Sequence, residues 1–259
     1  MEKIVEQKWD YTKHAKFYEY RPNYAPNVIK MLCDYAKTLA GGGCLKVADI
    51  GAGTGNLSIM LLENSCSVVS VEPNDAMREI GIERTKGQDI QWVRATGIET
   101  TLQSQAFDWV SFGSSFNVMD RSLALKETHR ILKDGGVFSC MWNHRDLQDP
   151  IQEIAENIIM SLVPNYTRGV RREEQRGVIE EHKDLFDEIL YIEQDFYFHQ
   201  SIENYILAWK SVKNPYWDLE TQEGAELFEK IAYQMRHQLP SAFDIKYTTR
   251  SWSAKKVKK

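Results

Sequence analysis

The chain has 259 residues, which at roughly 150 residues per domain means one enlarged domain or two small ones. It carries 32 Lys and Arg against 37 Asp and Glu, a net charge of −5, which disfavours a protein that works on nucleic-acid phosphates. With 42% hydrophobic and 27% charged residues the chain can bury a core, and disorder as its main state is excluded. Cys33, Cys44, Cys66 and Cys140 form no CxxC pair and no zinc-like spacing with histidine, so they read as thiols of a reducing compartment. The segment Met1–Lys8 has no apolar signal region and no run approaches about 18 apolar residues, so a soluble, cytoplasmic protein is expected.

Short apolar runs alternate with amphipathic stretches through the first half. Leu45–Ile50 predicts a buried strand and Asn56–Glu63 the helix after it. Ser67–Val71 predicts a second strand, and Asp75–Arg84 a helix with Asp75 as its N-cap. Gln91–Arg94, Phe107–Phe112 and Gly136–Trp142 predict three more strands, with helix Ser122–Leu132 before the last. Strands alternating with helices imply a parallel sheet covered on both faces, whose ligands bind beyond the carboxyl ends of the strands.

After residue 146 the pattern changes. Ile151–Leu162 predicts a helix, followed by an Arg- and Glu-rich stretch over 168–183, a strand Ile189–Phe198, helices Ile202–Val212 and Glu223–Arg236, and a strand Phe243–Trp252. Lys255–Lys259 reads as a frayed, solvated tail rather than a nucleic-acid arm. The expected division is a helical lead-in over the active site (1–40), a cofactor-binding core (41–146), a cap and acceptor region with the sixth strand (147–240), and the last strand with its tail (241–259).

The informative stretch is Val47-Ala-Asp-Ile-Gly51-Ala-Gly53-Thr-Gly55, where a strand ends and a helix begins. Glycines there permit a tight turn and close approach of a ligand to the backbone. A dinucleotide fingerprint, G-x-G-x-x-G, would put its third glycine at Asn56. The observed spacing, with Asp49 two residues before the first glycine, fits a nucleoside cofactor lacking a pyrophosphate over the helix terminus. Glu72 follows the second strand, where a carboxylate can accept from both hydroxyls of a ribose; NAD would use the same device.

Five segments resemble the successive motifs of class I S-adenosylmethionine-dependent methyltransferases: Val47–Gly55, Val71–Met77, Thr96-Gly-Ile-Glu99, Phe107–Val110 and His129–Gly136. They fall in the family's order and spacing across about residues 45–142. The resemblance implies a Rossmann-like α/β fold, a seven-stranded mostly parallel sheet with an antiparallel last strand, helices on both faces and a helical cap. It implies that Gly51, Gly53 and Gly55 form the loop under the methionine part of the cofactor and that Asp49 fixes that loop. Glu72 would hold the ribose, Met77 would pack on the adenine, and the Gly97–Ile98 backbone would read the adenine edge, with Glu99 a further candidate. Gly113, at the end of the fourth strand, completes the cofactor set. Met77 reads equally as core packing.

The lead-in Tyr11–Tyr24 is similar to the Y-x-x-x-R-P-x-Y-P segment of many small-molecule methyltransferases, its final Tyr-Pro displaced by one residue. This resemblance implies Tyr18 and Arg21 near the cofactor's carboxylate, where a guanidinium offers a bidentate partner. Relatives often carry a histidine after the fourth strand; Asn117 stands there. Trp142-Asn-His144-Arg-Asp146 holds the histidine best placed as a general base, and His14 is a weaker candidate. No ligand set for a metal is evident. Arg168, Arg171, Arg172 and Arg176 form either a solvated face or a clamp for an anionic acceptor, and Tyr205, Trp209, Tyr216 and Trp217 either a pocket wall or core.

The expected function is methylation of a small-molecule acceptor at oxygen or nitrogen, a sugar or other anionic metabolite, with S-adenosylmethionine as cofactor and S-adenosylhomocysteine as product. Neither nucleic acid nor membrane is an expected partner, and the oligomeric state is not legible. The alternatives are an NAD-dependent oxidoreductase and a non-catalytic cofactor-binding protein of the same fold.

Overall fold

The computed structural model describes residues 10–167 and 174–258. A 3-10 turn over Ala15–Tyr20 leads into helix α1 (Pro26–Leu39). The elements then run β1 (Lys46–Ile50), α2 (Asn56–Glu63), β2 (Ser67–Val71), α3 (Asp75–Arg84), β3 (Ile90–Val93), β4 (Phe107–Gly113), α4 (Arg121–Ile131) and β5 (Leu132–Arg145). Helices α5 (Pro150–Leu162) and α6 (Arg176–Glu180) precede β6 (Phe186–Ser201), α7 (Ile202–Lys210), α8 (Gln222–Gln238) and β7 (Ala242–Lys256). The strands form one seven-stranded sheet in the order β3-β2-β1-β4-β5-β7-β6, with β7 antiparallel to both neighbours and the other pairs parallel. This is the expected α/β architecture.

Strand alternation divides the core. Val47, Trp109, Val137 and Met141 face α1 and α2, where Val28, Ile29, Leu32, Leu57 and Leu61 cover them. Ala48, Ile50, Phe112, Phe138 and Cys140 face the other way, under Leu125 and Ile131 of α4 and Ile179 of α6. A third apolar cluster joins α5, α7 and α8 to Phe243, Ile245 and Tyr247 of β7. Tyr205, Trp209 and Trp217 are buried in that cluster, so they are cap core and not an open pocket wall.

The structure corrects three boundary assignments. The cap of α3 is Asn74, whose side chain accepts from Met77 N at 3.0 Å; Asp75 instead sits in the first turn and pairs with Arg78. The basic tail is not frayed at Lys255 and Lys256, which lie in β7. Lys256 is 4% exposed because its ammonium donates to Leu132 O at 2.7 Å, a backbone carbonyl beside the β4–β5 irregularity. The segment read as a strand from Gly136 begins at Leu132 and continues to Arg145, carried through that irregularity by Gly135 at φ +75°.

Candidate active site

The site is assembled where β1, β2 and β4 end. Asp49 is fully buried and accepts from Ser58 Oγ of α2 at 2.6 Å through Oδ2, while Oδ1 is buried without a partner. Burial pushes its carboxyl up to about 7, against the Ser58 hydrogen bond and with help from the charge of Glu72. The chain then turns through Gly51, Gly53 and Gly55 at φ +68°, +58° and +84°, pinned by Gly51 N and Ala52 N donating to Val71 O at 2.8 and 3.1 Å.

The three glycines are required for different reasons. A Cβ on Gly51 would stand 2.5 Å from Ser115 Cβ, and one on Gly55 3.3 Å from the Trp92 ring. Gly51 and Gly55 are thus also constrained by packing against their own neighbours. A Cβ on Gly53 would meet only Met77 Cε, at 3.4 Å, so Gly53 is the one that opens onto the cradle. Arg84 of α3, absent from the sequence-based set, locks the turn by donating from one nitrogen to Thr54 O, Thr54 Oγ1 and Asn56 Oδ1 at 2.7, 3.1 and 2.6 Å. No local pattern marks Arg84, since its partners lie about one helix earlier.

Glu72 is 7% exposed and is held from both sides: Gly53 N donates to Oε2 at 2.9 Å and Asn74 N to Oε1 at 2.8 Å. Burial raises its pKa, opposed by those two amides and by Arg78. A carboxylate with one amide per oxygen keeps lone pairs for two further donors. Met77 is 4% exposed and lies outside the three apolar clusters, beside Gly53.

The lead-in crosses this edge. Asn74 Nδ2 donates to Thr12 Oγ1 at 3.1 Å, Asn56 Nδ2 to Tyr18 O at 3.5 Å, and His14 Nδ1 to Lys210 O at 2.9 Å. Tyr11 and Tyr18 meet edge to face at 6.0 Å, and burial raises the pKa of both phenols, with the charge of Glu72 pushing the same way. Tyr18 is thus near Glu72. Arg21 is differently engaged from the expected bidentate carboxylate ligand: Nε and Nη2 both bind Ser211, at Oγ and O, each at 2.7 Å, while the guanidinium lies 4.0 Å over the Tyr18 ring. That edge of the fork ties the lead-in to the end of α7.

Gly97 is buried, and a Cβ there would come 2.5 Å from Met119 Sδ and 2.8 Å from Ile50 Cγ2; Ile98 is half-buried against the same core and Glu99 is exposed. The following turn is fixed by Glu127 of α4, which takes Thr100 N at 2.9 Å. Although burial works against its charge, hydrogen bonds from Arg130 and Thr100 bring the Glu127 pKa down to about 2. At Gly113 a Cβ would lie 2.9 Å from Tyr24 OH, which bonds Ser114 Oγ at 2.9 Å. Ser114 holds φ +58°, a costly conformation for a non-glycine residue just beyond a strand end.

Asn117 accepts from Trp142 Nε1 at 3.2 Å, so the loop after β4 leans on the end of β5. His144 opposes Thr248 in the β5–β7 ladder and is 7% exposed, on the face of Trp142 and Cys140. On the other face Asn143 donates to Pro22 O and Asn23 O at 3.1 and 2.9 Å and accepts from Thr249 Oγ1 at 2.6 Å. His182, His199 and His237 bond Val178 O, Asp244 and Tyr233 O. Of the arginine cluster, Arg168, Arg171 and Arg172 lie outside the described residues; Arg176 pairs with Glu180 in α6 at 3.7 Å. Among the described residues no three His, Cys, Asp or Glu side chains gather as a metal site, and no helix is long and apolar enough to cross a membrane.

Residues 48–140 match the methyltransferase domain family. An uncharacterized methyltransferase of Mycobacterium tuberculosis is 31% identical over 126 residues, 49% of this chain and 48% of that protein. A demethylmenaquinone methyltransferase of Staphylococcus aureus is 31% identical over 102 residues, 38% of this chain and 42% of that protein. The chain thus spans about half the length of the curated relatives it matches. A candidate type II methyltransferase from Anaeromyxobacter dehalogenans superposes with a TM-score of 0.57 at 17% identity, over 91% of this chain and 97% of that one, and has the same fold. Residues 48–140 are thus similar to a methyltransferase domain, and the chain has the fold of that solved neighbour.

Proposed function

We propose that the protein is an S-adenosylmethionine-dependent methyltransferase of a small-molecule acceptor at oxygen or nitrogen. The observation that carries this reading is Glu72, a buried carboxylate at the end of β2, clamped by the glycine-loop amide of Gly53 and the helix-cap amide of Asn74. That geometry suits a ribose with two vicinal hydroxyls. The residues present fit the cofactor: Gly53 opens onto a cradle walled by Met77, and the orphaned Asp49 Oδ1 lies beneath the same loop.

The cofactor supplies a methyl group already activated on a sulfonium, so the protein's share is alignment, exclusion of water and proton removal. Glu72 orients the ribose, while the Gly51–Gly55 turn supports the methionine part. Met77 and the Gly97–Ile98 backbone bracket the adenine. Tyr18, held beside Glu72 by the lead-in, covers this end from solvent, and Arg21 braces the lead-in on Ser211, its remaining nitrogen being the one that would serve the cofactor carboxylate. Gly113 and Tyr24 border the region where β4 ends. His144 is the base that takes the acceptor's proton. In this scheme 1–40 is the cover, 41–146 the cofactor core, 147–240 the acceptor cap and 241–259 the closing strand.

The net charge of −5 supports a small-molecule acceptor over a nucleic acid, and four free thiols support a cytoplasmic location. The demethylmenaquinone methyltransferase among the relatives is consistent with a small-molecule acceptor. The test is formation of S-adenosylhomocysteine from S-adenosylmethionine with pools of small hydroxylated, carboxylated and amine acceptors. Turnover with one pool supports the reading. Cofactor binding with no turnover in any pool would instead favour a non-catalytic cofactor-binding protein.

A further inference from the structure

Arg145 is the last residue of β5, opposite Tyr247 in the β5–β7 ladder. Strand alternation sets it on the face of Asn143, which holds the lead-in carbonyls of Pro22 and Asn23, and opposite to His144. Its guanidinium lies 3.7 Å over the Trp209 ring of α7, two residues before the Ser211 that binds Arg21. Arg145 therefore stands where the end of β5, the lead-in and the cap come together.

The guanidinium is unusual in what it lacks. It carries five N–H donors, yet among the described residues it makes no hydrogen bond and no ion pair. None of its nitrogens is among the buried atoms without a partner, so the unused donors reach solvent although the residue is partly buried. Burial is the largest influence on the group and works against its charge. Tyr247, Tyr205, Glu156 and Tyr166 act in the opposite direction and keep it cationic. Glu156, on α5, is the one carboxylate among these. The other arginines of this edge are committed: Arg21 to Ser211, Arg84 to the glycine turn, Arg78 to Glu72 O and Asp75. A recessed cation with its fork open to solvent and its face already fixed on an indole is preorganised to take a planar or tetrahedral anion.

We propose that Arg145 anchors an anionic group of the acceptor, a carboxylate or a phosphate. The assignment rests on the methyltransferase reading for the word acceptor, but the anion site itself does not. It differs from an anion clamp on Arg168, Arg171 and Arg172, because a single strand residue at the mouth of the sheet does the work.

The test is calorimetric titration of the full chain with benzoate, phenyl phosphate and the neutral benzamide at constant ionic strength, with and without saturating S-adenosylhomocysteine. Wild-type protein, Arg145→Gln and Arg145→Lys are compared. The expected result is one-to-one binding of at least one of the two anions by the wild type, at least about tenfold tighter than benzamide. The Arg145→Gln variant loses that preference while binding S-adenosylhomocysteine as the wild type does, and Arg145→Lys keeps part of it. Preference for benzoate over phenyl phosphate, or the reverse, distinguishes a carboxylate from a phosphate acceptor. Equal or absent binding of anions and benzamide by the wild type overturns the proposal without needing a variant, and so does an Arg145→Gln protein that still prefers anions. Failure of S-adenosylhomocysteine to bind the wild type would instead overturn the methyltransferase reading and leave the anion result to stand by itself.

Discussion

The two halves of the sheet meet the carboxyl edge in opposite ways. On one side β1 and β2 stop after five residues each, at Ile50 and Val71, and their ends are turned into loops whose amides bind one another and Glu72. On the other side β5, β7 and β6, of 14, 15 and 16 residues, run on past the last β4 pair at Gly113 and Met141. Four residues of β5 beyond Met141 add roughly 13 Å of strand. The first half is a backbone-lined cradle whose chemistry is set by strand ends a few residues long. The second is a ribbon clothed by α5, α7 and α8, whose chemistry is set by side chains from distant parts of the chain. A cofactor common to many proteins suits the first, and an acceptor particular to one protein suits the second.

Damage to the cradle is expected to show in cofactor affinity. Glu72→Ala removes charge-assisted bonds to two hydroxyls, worth roughly 1.5–3 kcal/mol each, so S-adenosylhomocysteine should bind at least about tenfold more weakly in calorimetry. Unchanged affinity would remove the ribose assignment. Damage on the ribbon side is expected to show in turnover alone. His144→Ala should lower kcat by about 100-fold or more, the range for a lost general base, with cofactor affinity intact. Full activity would dismiss His144 as the base.

Smaller effects separate the structural supports of the two halves. Gly51→Ala puts a methyl 2.5 Å from Ser115 Cβ at φ +68° and should cost about 1–3 kcal/mol in denaturant unfolding, whereas the same change at Gly177, where nothing lies within 4 Å, should not. Asp49 gives a pH signature. Its folded pKa, near 7, lies above the ordinary carboxylate value of 3.8, so the stability tied to its proton is full below about pH 4 and is lost as pH rises through 7. The cofactor-free Asp49→Asn variant should therefore melt higher than the wild type at pH 8 and show little difference at pH 4; equal melting at both ends would contradict the burial argument. Lys256→Met, which leaves Leu132 O without its ammonium donor, should cost about 1 kcal/mol with no change in cofactor affinity.

The same contrast explains what was legible in the sequence. Asn56–Glu63 and Ser67–Val71 were readable to the residue because glycine punctuation and apolar runs are local signals. The fold class and the positions of Asp49, Glu72 and the glycine turn followed from that punctuation. What fills the space around them did not. The bond of Arg21 to Ser211 spans 190 residues, and the partners of Arg84 and Glu127 lie 28 and 27 residues away, distances at which spacing carries no information. The length of β5 was underestimated because its extension is stabilised by pairing with β7, more than 100 residues later in the chain. The cap of α3 was misplaced by one residue since Asn74 and Asp75 are both good caps and only the geometry chooses. Arg145 was visible as a letter beside His144, but its isolation from partners is a property of the packed cap.

The central claim is that the glycine turn and Glu72 hold an adenosyl thioether and not a dinucleotide. Calorimetric titration of the purified protein with S-adenosylhomocysteine, with NAD in parallel, tests it most directly. One-to-one binding of the thioether with no heat from NAD is the predicted result. Binding of NAD, or of neither, would contradict it.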